Sequence, residues 1–295
     1  MSEPLESPAL EVDAVLAVDF GGTKVEAALV VGGRIVEGTR TRRPTGPERS
    51  AAELDAAVAE VVQGALGDTT VSRVGIGSAG PVDTVRGLAS PLNVPAWRDH
   101  PLRDLVAALV PGAEVVLAID GLAITLAEAR YGAGRGSANV MGMVVSTGVG
   151  GGLVLDGRGI SGMSGNAGHI GHVQVAGFDD PCACGRSGCL EAIASGPSSV
   201  RWARAHGWEG STGEELAASP DPRARAAIER SARAVGLAVA SASALVDLDL
   251  FREIVEGAVS AAGRVPLTIK MRKGIDPEHL TYLEAGRIAE GAGVG

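Results

Sequence analysis

All three cysteines of the chain, Cys182, Cys184 and Cys189, fall within one eight-residue span, and two of the five histidines, His169 and His172, lie just upstream. His172 with the three thiols makes one imidazole and three soft sulfur donors, the composition of a closed, tetrahedral structural zinc site. Gly185 and Gly188 let the loop turn back tightly enough for the third thiolate to reach an ion. Three unliganded thiols in a loop are the competing reading. A disulfide fits worse, because three is odd and nothing in the chain looks secreted. Four protein ligands leave no open coordination position, so the metal reads as a clamp that positions its flanks, chiefly His169 and Glu191.

A second chemistry is written at residues 19–24, DFGGTK, between two apolar runs. Gly21 and Gly22 let backbone N–H groups approach phosphate oxygens, Thr23 adds a hydroxyl, Lys24 a charge, and Asp19 can hold hydrated Mg²⁺. An ordinary glycine hairpin fits the same letters. The Walker pattern GxxxxGK[ST] is absent. Thr147, Gly148, Val149 and Gly150 form a similar glycine turn about 125 residues later. Asp120 closes the apolar run VVLAI and precedes a helical pattern. It reads either as a helix N-cap or as a general base at the carboxyl end of a strand, where open α/β sheets bind ligands. Asn93, in the rigid stretch SPLNVPAW, either meets a polar ligand or caps its own backbone.

The elements that must hold these residues follow from the pattern. Strands are expected at 14–19, 25–31 and from Arg34, then at 73–78, 115–119, 141–146 and 153–157. Helices are expected at 48–66, 122–131, 194–206 and 223–246, with 207–222 as a link. Two strand–glycine turn–strand units suggest a duplicated α/β fold with a nucleotide phosphate held between lobes. At 295 residues the chain has ample core for one large domain or two lobes. A net charge of −9 disfavours a general nucleic-acid or anionic-membrane binder. No apolar run approaches ~18 residues, and the acidic N-terminus lacks a signal-peptide core, so a cytoplasmic location with reduced cysteines is expected.

Taken in order, the D-x-G-G-T-K turn, T-G-V-G at 147–150, G-x-x-G-H at 168–172 and C-x-C-G-x-x-G-C-x-E at 182–191 resemble the ROK family of bacterial sugar kinases and sugar-sensing repressors, over about residues 14–249. The resemblance implies an actin-like/hexokinase-like (ribonuclease H-like) two-lobe ATPase fold. It implies transfer of the ATP γ-phosphoryl group to a sugar hydroxyl, with Mg²⁺ and a structural Zn²⁺. By the same resemblance Asp120 is the catalytic base, Asn93, His172 and Glu191 contact sugar, and His172, Cys182, Cys184 and Cys189 hold zinc. The family's repressors carry an N-terminal DNA-binding domain, for which about 13 residues before the first strand leave no room. The expected partner is therefore a small sugar, with no DNA and no membrane; ROK-like proteins are often dimers or tetramers.

Three departures stand out. His169 occupies a position that is usually Glu among sugar-contacting residues. Its neutral imidazole still accepts one hydrogen bond, so altered specificity and loss are both open. Ile119 stands where Asn commonly precedes the catalytic Asp. Residues 251–295 instead resemble an internal piece of tRNA-dihydrouridine synthase, with Lys270 on a flavin-contacting lysine. There the pattern reads as a helix at 252–262, a strand at 265–270 and a helix at 280–292. The expected organisation is thus a flexible tail at 1–13, an N-terminal lobe at 14–118, a C-terminal lobe with the zinc loop at 119–250, and a fused βα fragment of a TIM barrel at 251–295, which leaves the ROK part truncated. The reading is an ATP-dependent, glucokinase-like hexose kinase. The alternatives are a non-catalytic ROK sugar-binding protein and, from the tail alone, a flavin-dependent tRNA-modifying activity.

Overall fold

The computed structural model describes residues 14–246. The expected tail at 1–13, the elements expected at 252–262, 265–270 and 280–292, and Lys270 lie outside the described residues. Contacts divide the chain into two units, the first ending at Asp120 and the second beginning at Gly121.

The first unit is built on one sheet. Strand β1 (Val15–Phe20) buries Leu16, Val18 and Phe20 on one face and turns Asp19 to the other, as a two-residue period requires. It pairs antiparallel with β2 (Lys24–Val31), which also pairs with the short β3 (Arg34–Ile35) and with β4 (Thr41–Pro44). Helix α1 (Ala51–Leu66) starts at a capping box between Ser50 and Glu53. It lays Leu54, Val58, Val61 and Val62, all fully buried, on the sheet. There follow β5 (Arg73–Ser78), a small hairpin of β6 (Val82–Asp83) and β7 (Leu88–Ala89), helix α2 (Leu102–Leu109) and β8 (Glu114–Ile119). The order across the sheet is β3-β2-β1-β5-β8, with β4 attached to β2.

Strands β1, β5 and β8 are parallel and end level: Phe20 is the register partner of Ser78, and Ser78 of Ile119. Gly21, Ala79 and Asp120 therefore leave the sheet along one edge, the carboxyl edge where α/β sheets receive ligands.

Helix α3 runs Asp120–Tyr131, and the second unit begins at its second residue, Gly121. Strand β9 (Val140–Val145) and β10 (Val149–Leu155) form an antiparallel pair extended by β11 (Arg158–Gly159). A 3₁₀ turn at Ile170–His172 and the cysteine loop lead into α4 (Leu190–Ala194), α5 (Gly196–Ala205), α6 (Gly213–Ala218) and α7 (Pro222–Val246). One core gathers Val149, Ile170, Leu190, Ile193, Ala234 and Ala238; another gathers Ala203, Trp208, Leu216 and Ala227. Helix α3 meets β10 almost backbone to backbone. A Cβ on Gly121 would sit 2.7 Å from the carbonyl carbon of Gly151, so only glycine allows this approach. Among the described residues no helix is long and apolar enough to cross a membrane.

The structure differs from the sequence pattern at several points. The second glycine turn is shorter than expected: Val149 and Gly150 belong to β10, and Val149 pairs with Val145 across a turn closed by Ser146 N–H to Gly148 O. The helix expected at 194–206 breaks at Ser195, whose hydroxyl caps α5. Strand β4 has no signal in the pattern because TRRP carries no apolar alternation; its pairing with β2 supplies what its composition lacks. Helix α6, with its own capping box at Thr212 and Glu215, lies inside the expected link.

Candidate active site

The first glycine turn hangs at the end of β1. Gly21 N–H bonds Lys24 O at 2.8 Å, and the turn is tied down from the end of β4: Thr45 N–H donates to Thr23 O at 2.9 Å, and Thr45 Oγ1 to Gly21 O at 2.7 Å. A Cβ on Gly22 would lie 3.1 Å from Asn93 Cβ, so the Asn93 side chain covers this turn. The loop bearing Asn93 is anchored by Trp97, which is fully buried and stacked on Phe20 at 4.1 Å. Sequence order separates Asn93 from Gly22 by some 70 residues; the level ends of β1 and β5 bring them together.

Asp19 and Asp120 share the same edge of the sheet. Loss of water on its protein-facing side, and next the Asp120 charge, push the Asp19 carboxyl above its ordinary range, against the pull of Lys24. A carboxyl group whose proton affinity is raised by a neighbouring carboxylate, beside a backbone turn, is suited to a divalent cation or to proton transfer. Asp120 is the first residue of α3 and follows Ile119, which is fully buried. The Ile119 side chain packs into the core of its unit, so the substitution noted there changes packing.

In the second unit the second turn is held by Glu191, whose carboxylate accepts the Val149 N–H at 2.9 Å. The turn is also fixed by Gly196 N–H donating to Ser146 O at 2.8 Å. Next to Glu191 stand His169 and His172, their rings 4.6 Å apart. Burial pushes the His169 imidazole below its ordinary range, although the Glu191 charge pulls it up. Its Nδ1 is buried and has no hydrogen-bond partner. Such an atom costs stability unless something arrives to satisfy it.

The four expected metal ligands do come together. The ligand atoms of His172, Cys182, Cys184 and Cys189 all lie within 4.8 Å of one another. His172 Nδ1 is 3.7 Å from Cys182 Sγ, and Cys184 Sγ is 3.7 Å from Cys189 Sγ. Two sulfurs bound tetrahedrally at about 2.3 Å from one ion would be about 3.8 Å apart, so the spacing fits a tetrahedral metal. With Nδ1 turned to the thiols, His172 keeps Nε2 for a contact on its other side. Gly188, with φ of 73°, makes the turn that brings Cys189 back, and Cys182 N–H to Arg186 O at 2.7 Å closes the loop. Burial and the neighbouring thiols push Cys189 up to about 12, while hydrogen bonds from Arg186 outweigh burial and bring Cys184 to about 7.

The ROK family pattern matches residues 15–283. The chain belongs to the ROK family. It is 34% identical over 190 residues to a glucokinase of Streptomyces coelicolor, which covers 64% of this chain and 58% of that enzyme. The chain thus spans less than two thirds of that relative. A kanosamine kinase of Amycolatopsis mediterranei is 34% identical over 253 residues, 83% of this chain and 80% of its own. Among solved structures, a ROK family glucokinase from Streptomyces griseus, in complex with glucose and AMPPNP, superposes with a TM-score of 0.68 at 33% identity, over 79% of this chain and 80% of that one. The mixed α/β architecture is thus the one ROK kinases share.

Four site-adjacent residues of this ROK chain were not singled out from sequence: Glu26, Arg40, Arg42 and Thr45. The available signal was a carboxylate inside the apolar strand KVEAALVV followed by the cation-rich TRTRRPT.

Proposed function

We propose that the chain is an ATP-dependent hexose kinase of glucokinase type. One observation carries this reading: Asp19, the Gly21–Gly22 turn, Asn93 and Asp120 meet at the level carboxyl ends of β1, β5 and β8. In this reading the Gly22 N–H and Thr23 receive phosphate oxygens, while the Gly21 N–H closes the turn on Lys24 O. Asp120 accepts the proton of the attacking sugar hydroxyl, and Asn93 orients that sugar. Mg²⁺ beside Asp19 would neutralise phosphate charge. The second turn, at Thr147 and Gly148, is assigned to the nucleotide phosphates. Glu191, His169 and His172 Nε2 are assigned to sugar hydroxyls, and zinc in the His172–cysteine cluster holds His172 and Glu191 in place. The orphaned Nδ1 of His169 is an acceptor waiting for a hydroxyl, which favours altered sugar preference over loss of binding.

Sugar-dependent ADP release from Mg-ATP tests the proposal, over glucose, mannose, kanosamine, N-acetylglucosamine and N-acetylmannosamine. Turnover with one sugar that vanishes in Asp120→Asn supports it. A folded, zinc-loaded protein inert toward every sugar would leave the binding-only reading.

For residues 251–295 we propose the fused reductase fragment read from their sequence, a stretch that the ROK match overlaps as far as residue 283. Sequencing genomic DNA across the Leu250 codon decides it, and a colourless purified protein would remove flavin chemistry from that segment.

A further inference from the structure

The loop between β7 and α2 carries an arginine that the proposed chemistry does not use. Its base is closed by Ala89 and His100, which exchange backbone hydrogen bonds of 2.9 and 3.0 Å, and by Asp99 N–H donating to Ser90 Oγ at 2.8 Å. Val94 and Trp97 are fully buried beneath it, and the Trp97 ring stacks on both Phe20 and His100 at 4.1 Å. Asn93 is exposed. It is the third residue of a turn in which Val94 N–H donates to Pro91 O at 3.1 Å. A turn asparagine commonly caps its own backbone. This one does not: among the described residues the Asn93 side chain makes no hydrogen bond.

Asn93 is therefore fixed by the backbone on either side of it, and one side chain grips that backbone. Arg98 Nη1 lies 3.0 Å from Pro91 O, 3.0 Å from Val94 O and 2.6 Å from Trp97 O. The first two carbonyls bracket Asn93, and the third belongs to the ring that anchors the loop. Other exposed arginines of this unit pair with carboxylates, as Arg43 does with Glu60 and Arg49 with Glu53. Among the described residues Arg98 has no carboxylate partner. Its neighbour Asp99, in left-handed backbone at φ 49°, meets Ser90 instead. Arg98 thus spends its charge on the loop's carbonyls. Hydrogen bonds from a charged donor are stronger than neutral ones, and a planar guanidinium holds its acceptors at fixed angles.

We infer that Arg98 is a positioning residue for the sugar: its guanidinium gathers the carbonyls on both sides of Asn93 and so holds the Asn93 amide over the Gly22 turn. This rests on the reading of Asn93 as a sugar contact in a kinase.

The test is steady-state kinetics of the full chain, N93A, R98Q and N93A/R98Q, with whichever sugar of the panel above the wild type phosphorylates. Asn93→Ala should raise the sugar KM roughly fivefold, the value of one neutral hydrogen bond. Arg98→Gln should raise it by about as much, with the ATP KM within about twofold of wild type. The double variant should be no worse than N93A by more than about twofold, because Arg98 acts through Asn93. A residue that only held the fold would give effects that multiply, to roughly 25-fold. Arg98→Lys, which keeps the charge but not the fork, should fall between wild type and R98Q, and it serves if R98Q does not fold. Hydrogen exchange, which needs no turnover, should quicken at the Val94 and Trp97 amides in R98Q. An unchanged sugar KM in R98Q beside a raised one in N93A overturns the inference and spares the kinase reading. Multiplying effects do the same, as does unchanged exchange at both amides. If N93A itself leaves the sugar KM unchanged, or the wild type turns over no sugar, the underlying reading fails and takes the inference with it.

Discussion

Glu26→Gln should cost stability at neutral pH and lose that effect in acid. Burial would push the Glu26 carboxyl up, but hydrogen bonds from Lys24, Arg42 and Arg40 outweigh it and hold the group at about 2, against an ordinary 4.5. A depressed value means that the folded state prefers the ionised form. The stabilisation is therefore complete above the unfolded value near 4.5 and drains away as pH falls from there toward about 2. The gap between those values sets a ceiling of about 3 kcal/mol. The three cations are half exposed, and solvent screening brings the expectation down to about 1–2 kcal/mol. Urea melts of both proteins, followed by circular dichroism at pH 7, 5, 4 and 3, measure it. The difference between wild type and Glu26→Gln should be constant from pH 7 to about pH 5.5 and shrink steadily below 4.5. It should also shrink in 0.5 M salt. A difference that stays the same from pH 7 to pH 3 would refute the reasoning, because it would mean that the charge on Glu26 carries none of the effect.

Other outcomes are expected elsewhere in the molecule. Asp120→Asn should lower sugar-dependent ADP release by at least about 100-fold while the thermal midpoint hardly moves; unchanged turnover contradicts its role as base. Metal analysis of purified protein should find one zinc per chain, and Cys189→Ser should lose it along with part of the thermal stability; a stable, metal-free wild type would remove the clamp. His169→Ala should raise the sugar KM roughly fivefold with little change in kcat, the value of one neutral hydrogen bond, and an unchanged KM would show that Nδ1 meets no substrate. Gly121→Ala should destabilise the second unit by about 1–3 kcal/mol in a urea melt, because the new Cβ collides with the Gly151 backbone; a neutral effect would mean that α3 and β10 can part freely.

Much of the site was legible because its signals are local. The four metal ligands crowd into a short stretch, and their chemistry follows from residue type and spacing. The same holds for the D-x-G-G-T-K turn, whose flanking strands declare themselves by apolar runs, and for Asp120 at the end of VVLAI. The C-terminal end of the second turn is not legible in the sequence because TGVGGG looks like uninterrupted loop. Its glycines at 150–152 are strand residues that let α3 and the segment around Ile170 come close, a requirement set by partners elsewhere in the chain.

Sequence alone determined which residues can bind metal, phosphate or a proton, since that depends on their chemical groups and near neighbours. Tertiary structure decided which of them act together. Parallel register placed Gly21, Ala79 and Asp120 on one edge, and the fold set Asn93 over Gly22 and the Glu191 carboxylate on Val149 N–H, 42 residues away. It also gathered Lys24, Arg40 and Arg42 on Glu26. A side chain's partner across a sheet depends on strand order and register, which the whole chain sets through long-range packing.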